Sequence, residues 1–120
     1  MRKGRSTSKP TKAEEAYIVA VKSGPCVACE VLRQTDVLSG CDGEGCDFHH
    51  LLSGGRRRGH MFGIGLDPWH HRGVPLPGMT AAQMRTLFGP SLMDGSKAFA
   101  AVFGTDDELL DRQRRYLEGL

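Results

Sequence analysis

Apolar residues recur at helical spacing near the start of the chain and again over its C-terminal third. The first such segment, about 13–22, begins after the capping box formed by Thr11 and Glu14 and ends at a Ser-Gly-Pro sequence. Three further helices are predicted at 80–88, 96–103 and 105–120, together the C-terminal helices at about 80–120. Their mixed apolar and charged positions are typical of helices that cover one side of a small core.

The middle of the chain predicts short strands. Residues 47–52 read Asp-Phe-His-His-Leu-Leu, a strand candidate before a Ser-Gly-Gly turn, and a second strand is predicted around 61–66. Asp67 is a good N-cap before a proline suited to the first helical position, and a glycine at 73 ends this short helix. A further strand is predicted over 31–38, where polar residues interrupt β-prone ones. The pattern therefore predicts an α+β fold with a ββα unit at about 47–73.

Composition places the chain among small single domains. Its 120 residues, 39% of them hydrophobic and 25% charged, fit one modest core and exclude a multidomain enzyme. Apolar runs fall short of the roughly 18–20 residues that span a bilayer, and the basic start lacks the apolar segment of a signal peptide. We therefore expect a cytoplasmic protein without a membrane partner. Residues 1–12 are basic, with no acidic side chain, which predicts a flexible arm before a single domain over 13–120.

Cysteine spacing indicates a bound metal. The chain has four cysteines, Cys26, Cys29, Cys41 and Cys46. In a reducing compartment such thiols are more often metal ligands than disulfide partners. The two-residue gap between Cys26 and Cys29 is typical of two ligands of a tetrahedral zinc site. A structural Zn²⁺ would also stabilise a chain with so small a core.

The histidines are clustered. All five lie between positions 49 and 71, as His49, His50, His60, His70 and His71. Neutral imidazoles bind divalent metals, and an imidazole without a metal can act as a base. Because neighbouring residues of a strand point to opposite faces, His49 and His50 are expected to have different roles. This clustering predicts a hydrolytic metal site.

Arginines surround the histidines. Arg56, Arg57 and Arg58 lie between the two histidine pairs, and Arg72 follows the second pair. Guanidinium groups bind phosphates in a bidentate manner, and any nuclease has to hold the phosphates of DNA. Phosphate contacts carry little sequence information. These arginines and the basic arm therefore predict DNA binding with weak intrinsic sequence preference.

Two long motifs carry a resemblance to a known family. Residues 48–60 read FHHLLSGGRRRGH, and residues 65–73 read GLDPWHHRG. They resemble the HNH nuclease core of the phage Recombination Enhancement Function proteins, the RecA-dependent nucleases, and similarity to this group extends over about 17–110. The resemblance implies a zinc-stapled ββα-metal (His-Me finger) core with flanking helices. It also implies a metal-dependent DNA endonuclease that hydrolyses phosphodiester bonds in recombination or repair.

Site roles follow from this resemblance residue by residue. His50 corresponds to the general base, and His60 to the residue that orients the base or supports the loop. His49 and His71 correspond to the ligands of one divalent ion such as Mg²⁺ or Mn²⁺ at the scissile phosphate. The family also implies action with a host RecA-type recombinase on recombinase-coated single-stranded DNA, in a bacterial host cell if the chain is phage-encoded.

The resemblance leaves the zinc ligands open. Relatives carry a cysteine directly before the Pro-Trp-His-His element, where this chain has Asp67. One set is Cys26, Cys29, Asp67 and His70. In a second, Asp67 only caps the helix, and Cys41 or Cys46 supplies the missing thiolate. In a third, all four cysteines bind the ion and His70 does not.

Two other functions are compatible with the same residues. The chain could be a noncatalytic zinc-stapled DNA-binding module, in which the arginines hold phosphates and all histidines ligate zinc. It could also be a recombination accessory module that works through a protein partner. A nuclease differs from the first alternative because it needs an exchangeable catalytic ion in addition to structural zinc.

Overall fold

The computed structural model of the chain describes residues 9–34, 46–53 and 55–118. This part is an α+β arrangement, as expected from the sequence. Its elements in chain order are α1 (Lys12–Ser23), α2 (Val27–Gln34), β1 (Asp47–His50), β2 (Leu52–Ser53), β3 (Arg56–Arg57), β4 (Gly63–Leu66), α3 (Pro68–Arg72), α4 (Ala81–Phe88), a 3-10 turn (Leu92–Asp94), α5 (Ser96–Phe103) and α6 (Asp106–Glu118). The first helix, the strands near 47–52 and 61–66 and the later helices occur where the sequence predicts them.

Side chains before several helices explain where those helices begin. Thr11 and Glu14 form a reciprocal capping box at α1, and Thr80 does the same with Gln83 at α4. At α6, the Glu108 carboxylate accepts a hydrogen bond from Thr105 N, and Glu108 N donates to the Thr105 hydroxyl. Each cap satisfies amide groups that have no partner within the helix.

Between α2 and α3 along the chain, the strands form two small antiparallel sheets. Strands β1 and β4 pair with Asp47 opposite Leu66 and His50 opposite Gly63. Strands β2 and β3 form a hairpin, which turns through Gly55 at a φ of 82°. Helices α1 and α3 both pack against β1 and β4. Because side chains alternate along a strand, each of these helices meets a different set of β1 residues.

One glutamine pairs with the edge of β4 as a backbone amide would. Gly65 N donates to Oε1 of Gln113 at 2.7 Å, and Nε2 of Gln113 donates to Gly63 O at 2.9 Å. Gln113 lies on α6 and is only 1% exposed. Its side chain therefore satisfies two buried polar groups of an edge strand and covers that edge.

The core joins α2 and β4 to the helices α3, α4, α5 and α6. Trp69 of α3 is buried within it, and its indole Nε1 donates to Gly89 O at 3.0 Å. The buried cluster consists of Cys26, Val27, Ala28, Cys29, Leu32, Leu51, Ile64, Leu66, Trp69, Met84, Phe88, Phe99, Phe103, Leu109 and Leu110. Cys26 and Cys29 thus both belong to the core.

The strand predicted over 31–38 is wrong where it can be compared. Residues 31–34 form the end of α2, and 35–38 lie outside the described residues. Cys26, Cys29 and Leu32 recur every third residue and are all buried, so a helix places them on one side. This burial outweighs the β-propensity of the valines in the segment.

Several sequence predictions fall on parts of the chain that the structure does not describe. The basic arm is described only from residue 9 onward, and Cys41 is outside the described ranges. Among the described helices, none has both the length and the apolar composition needed to cross a membrane.

Candidate functional site

The short helix α3 presents two adjacent histidines in different directions. Asp67 caps the helix, its Oδ1 accepting a hydrogen bond from His70 N at 2.7 Å, and Gly73 ends it with a φ of 70°. Neighbouring residues of a helix are rotated by about 100°. His70 is 0% exposed, whereas the side chain of His71 is 24% exposed. The pair therefore belongs to two separate clusters.

His70 belongs to the first of these, the Cys/Asp/His cluster, which is fully buried. Its members are Cys26, Cys29, Asp67 and His70, whose ligand atoms all lie within 4.8 Å of one another. Cys29 Sγ donates to Asp67 Oδ2 at 3.4 Å, and Cys26 Sγ lies 3.6 Å from His70 Nδ1. Within the described ranges, no other group of three or more such side chains meets the same criterion.

The surroundings of His70 fix which of its nitrogens faces the thiols. Its Nε2 lies 2.9 Å from Phe88 O, so this nitrogen carries the hydrogen and Nδ1 faces the cluster. Burial by itself lowers the pKa of His70, but hydrogen bonds with Asp67 and Cys29 and the Asp67 charge raise it to about 10. The pKa of Asp67 is lowered: burial raises it, but the hydrogen bond and charge of His70 outweigh that effect. Metal binding at Nδ1 would have to displace a proton.

The donor set of this cluster fits zinc. Two thiols, one imidazole and one carboxylate oxygen are ligands that Zn²⁺ accepts in tetrahedral sites. The Phe103 ring packs 5.1 Å from the His70 ring, which contributes an apolar wall. Cys46 is not part of the cluster, since its Sγ donates to Val21 O at 3.3 Å. Of the three ligand sets left open by the sequence, the structure brings together the set with Asp67 and His70. The sets that include Cys41 fall outside the described residues.

His71 belongs to the second cluster, which consists of Asp47, His49 and His71 on the partly exposed side of α3. Its ring packs 5.1 Å from the ring of His49. The two residues predicted to bind the catalytic metal, one on a strand and one on a helix, therefore lie next to each other. His71 Nδ1 lies 2.9 Å from Asp47 Oδ2, and Arg72 Nε donates to the same oxygen at 2.9 Å. Asp47 is two residues before His49 and shares its face of β1.

His50 meets His60 on the other face of β1. His50 Nε2 lies 3.3 Å from His60 Nδ1, and the ring of Phe48 packs 4.9 Å from the His50 ring. Partial burial lowers the pKa of His50, and the charges of Arg57 and His60 lower it further. Burial and the neighbouring His71 likewise lower the pKa of His49. Both imidazoles are therefore neutral at pH 7, the form that binds a metal or accepts a proton.

Comparison with known protein families decides the class of this chain. Residues 10–118 match the family model described as recombination enhancement, RecA-dependent nuclease. The chain belongs to this family. The match spans both clusters and every described element from α1 to α6. No curated protein matches the chain. The family description identifies a nuclease that acts in recombination.

For this family member, the predicted phosphate-binding arginines differ in their surroundings. Arg56 and Arg57 lie on β3 and are exposed. Arg58 Nη1 forms an ion pair with Asp107 at 2.5 Å, and Arg72 pairs with Asp47. Among the described residues, no ion pair involves Arg56 or Arg57, which leaves their exposed guanidinium groups available to a phosphate.

Two residues of the site have no signal in the sequence. Asp47 was predicted only as the start of a strand, yet it contacts His71 across 24 positions of the chain. Gln113 lies in a helix of mixed charge and reaches Gly63 across 50 positions. Neither contact follows from spacing, because it depends on how separate elements pack.

Proposed function

We propose that the chain is a metal-dependent DNA endonuclease of the HNH type, with β1, β4 and α3 as its ββα-metal core. The observation that carries this proposal is the separation of the histidines. His49 and His71 meet on one face of β1, while His50 meets His60 on the other face. One pair can thus hold an ion while an imidazole beside it acts as a base, which fits phosphodiester hydrolysis.

His49 and His71 would hold one divalent ion such as Mg²⁺ or Mn²⁺. When bound, such an ion stabilises negative charge at the scissile phosphate. The contact between His71 Nδ1 and the Asp47 carboxylate leaves His71 Nε2 as the nitrogen available for the ion. Arg72 pairs with the same carboxylate and thereby holds Asp47 in place. Asp47 therefore orients a ligand.

His50 would accept the proton of the attacking water. Its Nε2 lies against His60 Nδ1, which leaves Nδ1 of His50 to take the proton. His60 is 9% exposed and is therefore well placed to restrict how the His50 ring turns. A base positioned in this way contributes about 10²–10⁴-fold to a reaction rate.

The Cys/Asp/His cluster would hold a structural Zn²⁺. Its donors are buried and come from the start of α2 and the start of α3. Because Asp67 also caps α3, an ion bound there would fix the helix that carries His71. The zinc would then stabilise the fold and set the position of the second cluster.

DNA would be held mainly through Arg56 and Arg57, with Arg58 and Arg72 as further phosphate contacts. The proposed substrate is DNA that is single-stranded and coated by a RecA-type recombinase; the family description supports the dependence on RecA alone. The proposed location is the cytoplasm of a bacterial host cell. In the noncatalytic alternative, all histidines would ligate zinc, but only His70 of the described histidines joins the thiols.

Cleavage assays test this proposal directly. Circular single-stranded DNA and plasmid DNA are incubated with the wild type or His50→Ala in Mg²⁺ or Mn²⁺, with and without a RecA-type filament. We expect cleavage by the wild type, a loss of about 10²–10⁴-fold in His50→Ala, and equal zinc content in both. Lys97→Ala, an exposed change on α5, is the control. Binding without cleavage under every condition would favour the noncatalytic module.

A further inference from the structure

A partly buried group of side chains packs behind His50, on the face of β1 that meets α1. Phe48 is two residues before His50 and therefore shares its face. The Phe48 ring lies 4.9 Å from the His50 ring at an interplanar angle of 74°. The His60 ring lies 5.4 Å from the same imidazole. The imidazole thus has an aromatic neighbour and a histidine neighbour.

Gly63 provides the space for the Phe48 ring. It lies directly opposite His50 in the sheet. A Cβ at position 63 would overlap the end of the Phe48 ring. The absence of a side chain there is therefore what allows the ring to lie across β4 beside His50.

Tyr17 and Gln113 support this arrangement from two helices. The Tyr17 ring packs edge-on against Phe48, with 6.0 Å between centroids. Its hydroxyl donates to Gly63 O at 2.8 Å and accepts from Gln113 Nε2 at 2.9 Å. The same Gln113 nitrogen donates to Gly63 O at 2.9 Å. The carbonyl of Gly63 is thus held by two donors, one from α1 and one from α6.

We propose that Phe48 is a positioning residue that, by lying over Gly63 and against Tyr17, holds the His50 imidazole in the orientation that meets His60. The inference rests on the proposed function, since it treats His50 as the base. An imidazole at a partly exposed strand end has several allowed side-chain rotamers. A ring packed against it selects one of them. A displacement of about 1 Å at a reacting group can lower a rate by about 10²-fold.

Phe48→Leu tests the role by removing the ring while keeping an apolar side chain. We expect kcat for DNA cleavage to fall by about 10- to 100-fold, while KM for DNA, zinc content and the circular dichroism spectrum stay at wild-type values. Phe62→Leu is the matched control, because the Phe62 ring is one residue from Gly63 but packs under the Arg114 guanidinium, at 5.3 Å. A wild-type kcat in Phe48→Leu, with His50→Ala inactive, would overturn the proposal.

Gly63→Ala provides a second route to the same displacement. The added methyl group should push the Phe48 ring away and lower kcat to a similar extent. In the double variant with Phe48→Leu, kcat should fall no further than in Phe48→Leu alone, because both changes act through one ring. Losses that multiply in the double variant would contradict this.

The orientation of His50 can also be measured without any activity. The imidazole signals of His50 in a ¹H–¹³C spectrum are assigned by their loss in His50→Ala. We expect these signals to shift in Phe48→Leu, while those of His70 stay in place and Phe62→Leu leaves the His50 signals unchanged. Unmoved His50 signals in Phe48→Leu would refute the positioning role. If the wild type cuts no DNA, the proposed function fails, and this spectrum still decides whether Phe48 orients His50.

Discussion

His70 and His71 are neighbours on one helix of five residues, yet their surroundings differ in almost every respect. His70 is 0% exposed and faces two thiols and a carboxylate, whereas His71 has a side chain that is 24% exposed and faces Asp47 and His49. A closed set of four donors is typical of a structural metal. A site with fewer protein ligands leaves positions open for water and substrate. Under the proposed function, these two adjacent histidines would serve stability and chemistry separately.

The two clusters are joined through Asp67. Its Oδ1 caps α3 at His70 N, and its Oδ2 accepts from the Cys29 thiol. The helix that presents His71 is therefore attached at its first turn to the Cys/Asp/His cluster, which we call the closed cluster. Loss of the closed cluster should disturb the open cluster, which is the second cluster of Asp47, His49 and His71. Loss of the open cluster should leave the closed cluster intact.

Removing the two thiols of the closed cluster should have the largest effect. We expect Cys26→Ser combined with Cys29→Ser to bind no zinc and to lose the folded state, since zinc contributes about 10–16 kcal/mol in small structural sites. Zinc content per chain and the circular dichroism melting curve measure this. Cys46→Ser is the control, because Cys46 donates to Val21 O outside the cluster. A double variant that lacks zinc but melts as the wild type does would contradict a structural role.

Gln113→Leu should have the next largest effect. It leaves Gly65 N without its acceptor and removes a donor to Gly63 O, both at the buried edge of β4. We expect the free energy of unfolding to fall by about 2–4 kcal/mol, as measured by urea denaturation. Gln83→Leu removes the same amide from an exposed capping box at α4 and should cost only about 0.5–1 kcal/mol. Equal losses in the two variants would show that β4 does not depend on this amide.

Asp67→Cys should convert the closed cluster into one with three thiols. We expect zinc to leave for a chelator more slowly, because thiolate is the softer ligand. Part of the gain in the zinc-bound form should be offset by about 1 kcal/mol, since the side-chain cap of α3 is lost. Asp67→Asn is the matched variant, because it keeps a capping oxygen without the charge, and it should lose zinc faster than the wild type. Wild-type zinc retention in Asp67→Asn would argue that the carboxylate is not a ligand.

The smallest effect is expected beside the open cluster. Arg56→Ala combined with Arg57→Ala should reduce the slope of log affinity against log salt by about 1.4 for single-stranded DNA. Fluorescence anisotropy of a labelled oligonucleotide over a series of KCl concentrations measures the slope. Arg58→Ala should reduce it less, because Arg58 pairs with Asp107. An unchanged slope in the double variant would contradict a phosphate-binding role for these two residues.

Local signals account for what the sequence predicts correctly. The capping box at Thr11 and the Asp67-Pro68 start of α3 each lie within a few residues of the element they begin. Alternation along β1 likewise separates His49 from His50 without further information. These features are decided by neighbours in the chain.

Packing between distant segments accounts for what the sequence does not show. Residues 31–34 at the end of α2 were expected to begin a strand. They are helical because burial of Cys26, Cys29 and Leu32 on one side is a tertiary effect that outweighs local propensity. The contact of Asp47 with His71 joins residues 24 positions apart, and that of Gln113 with Gly63 joins residues 50 apart. The spacing of apolar and polar residues within a short segment carries no information about contacts between such distant residues.

Comparing His71→Ala with His70→Ala tests whether the two histidines of α3 have separate roles. Zinc content, melting temperature and DNA cleavage in Mg²⁺ or Mn²⁺ are measured on the same preparations. We expect His71→Ala to keep its zinc and its melting temperature but to lose cleavage, while His70→Ala loses zinc and the folded state. Zinc loss in His71→Ala, or wild-type cleavage by that variant, would contradict these separate roles.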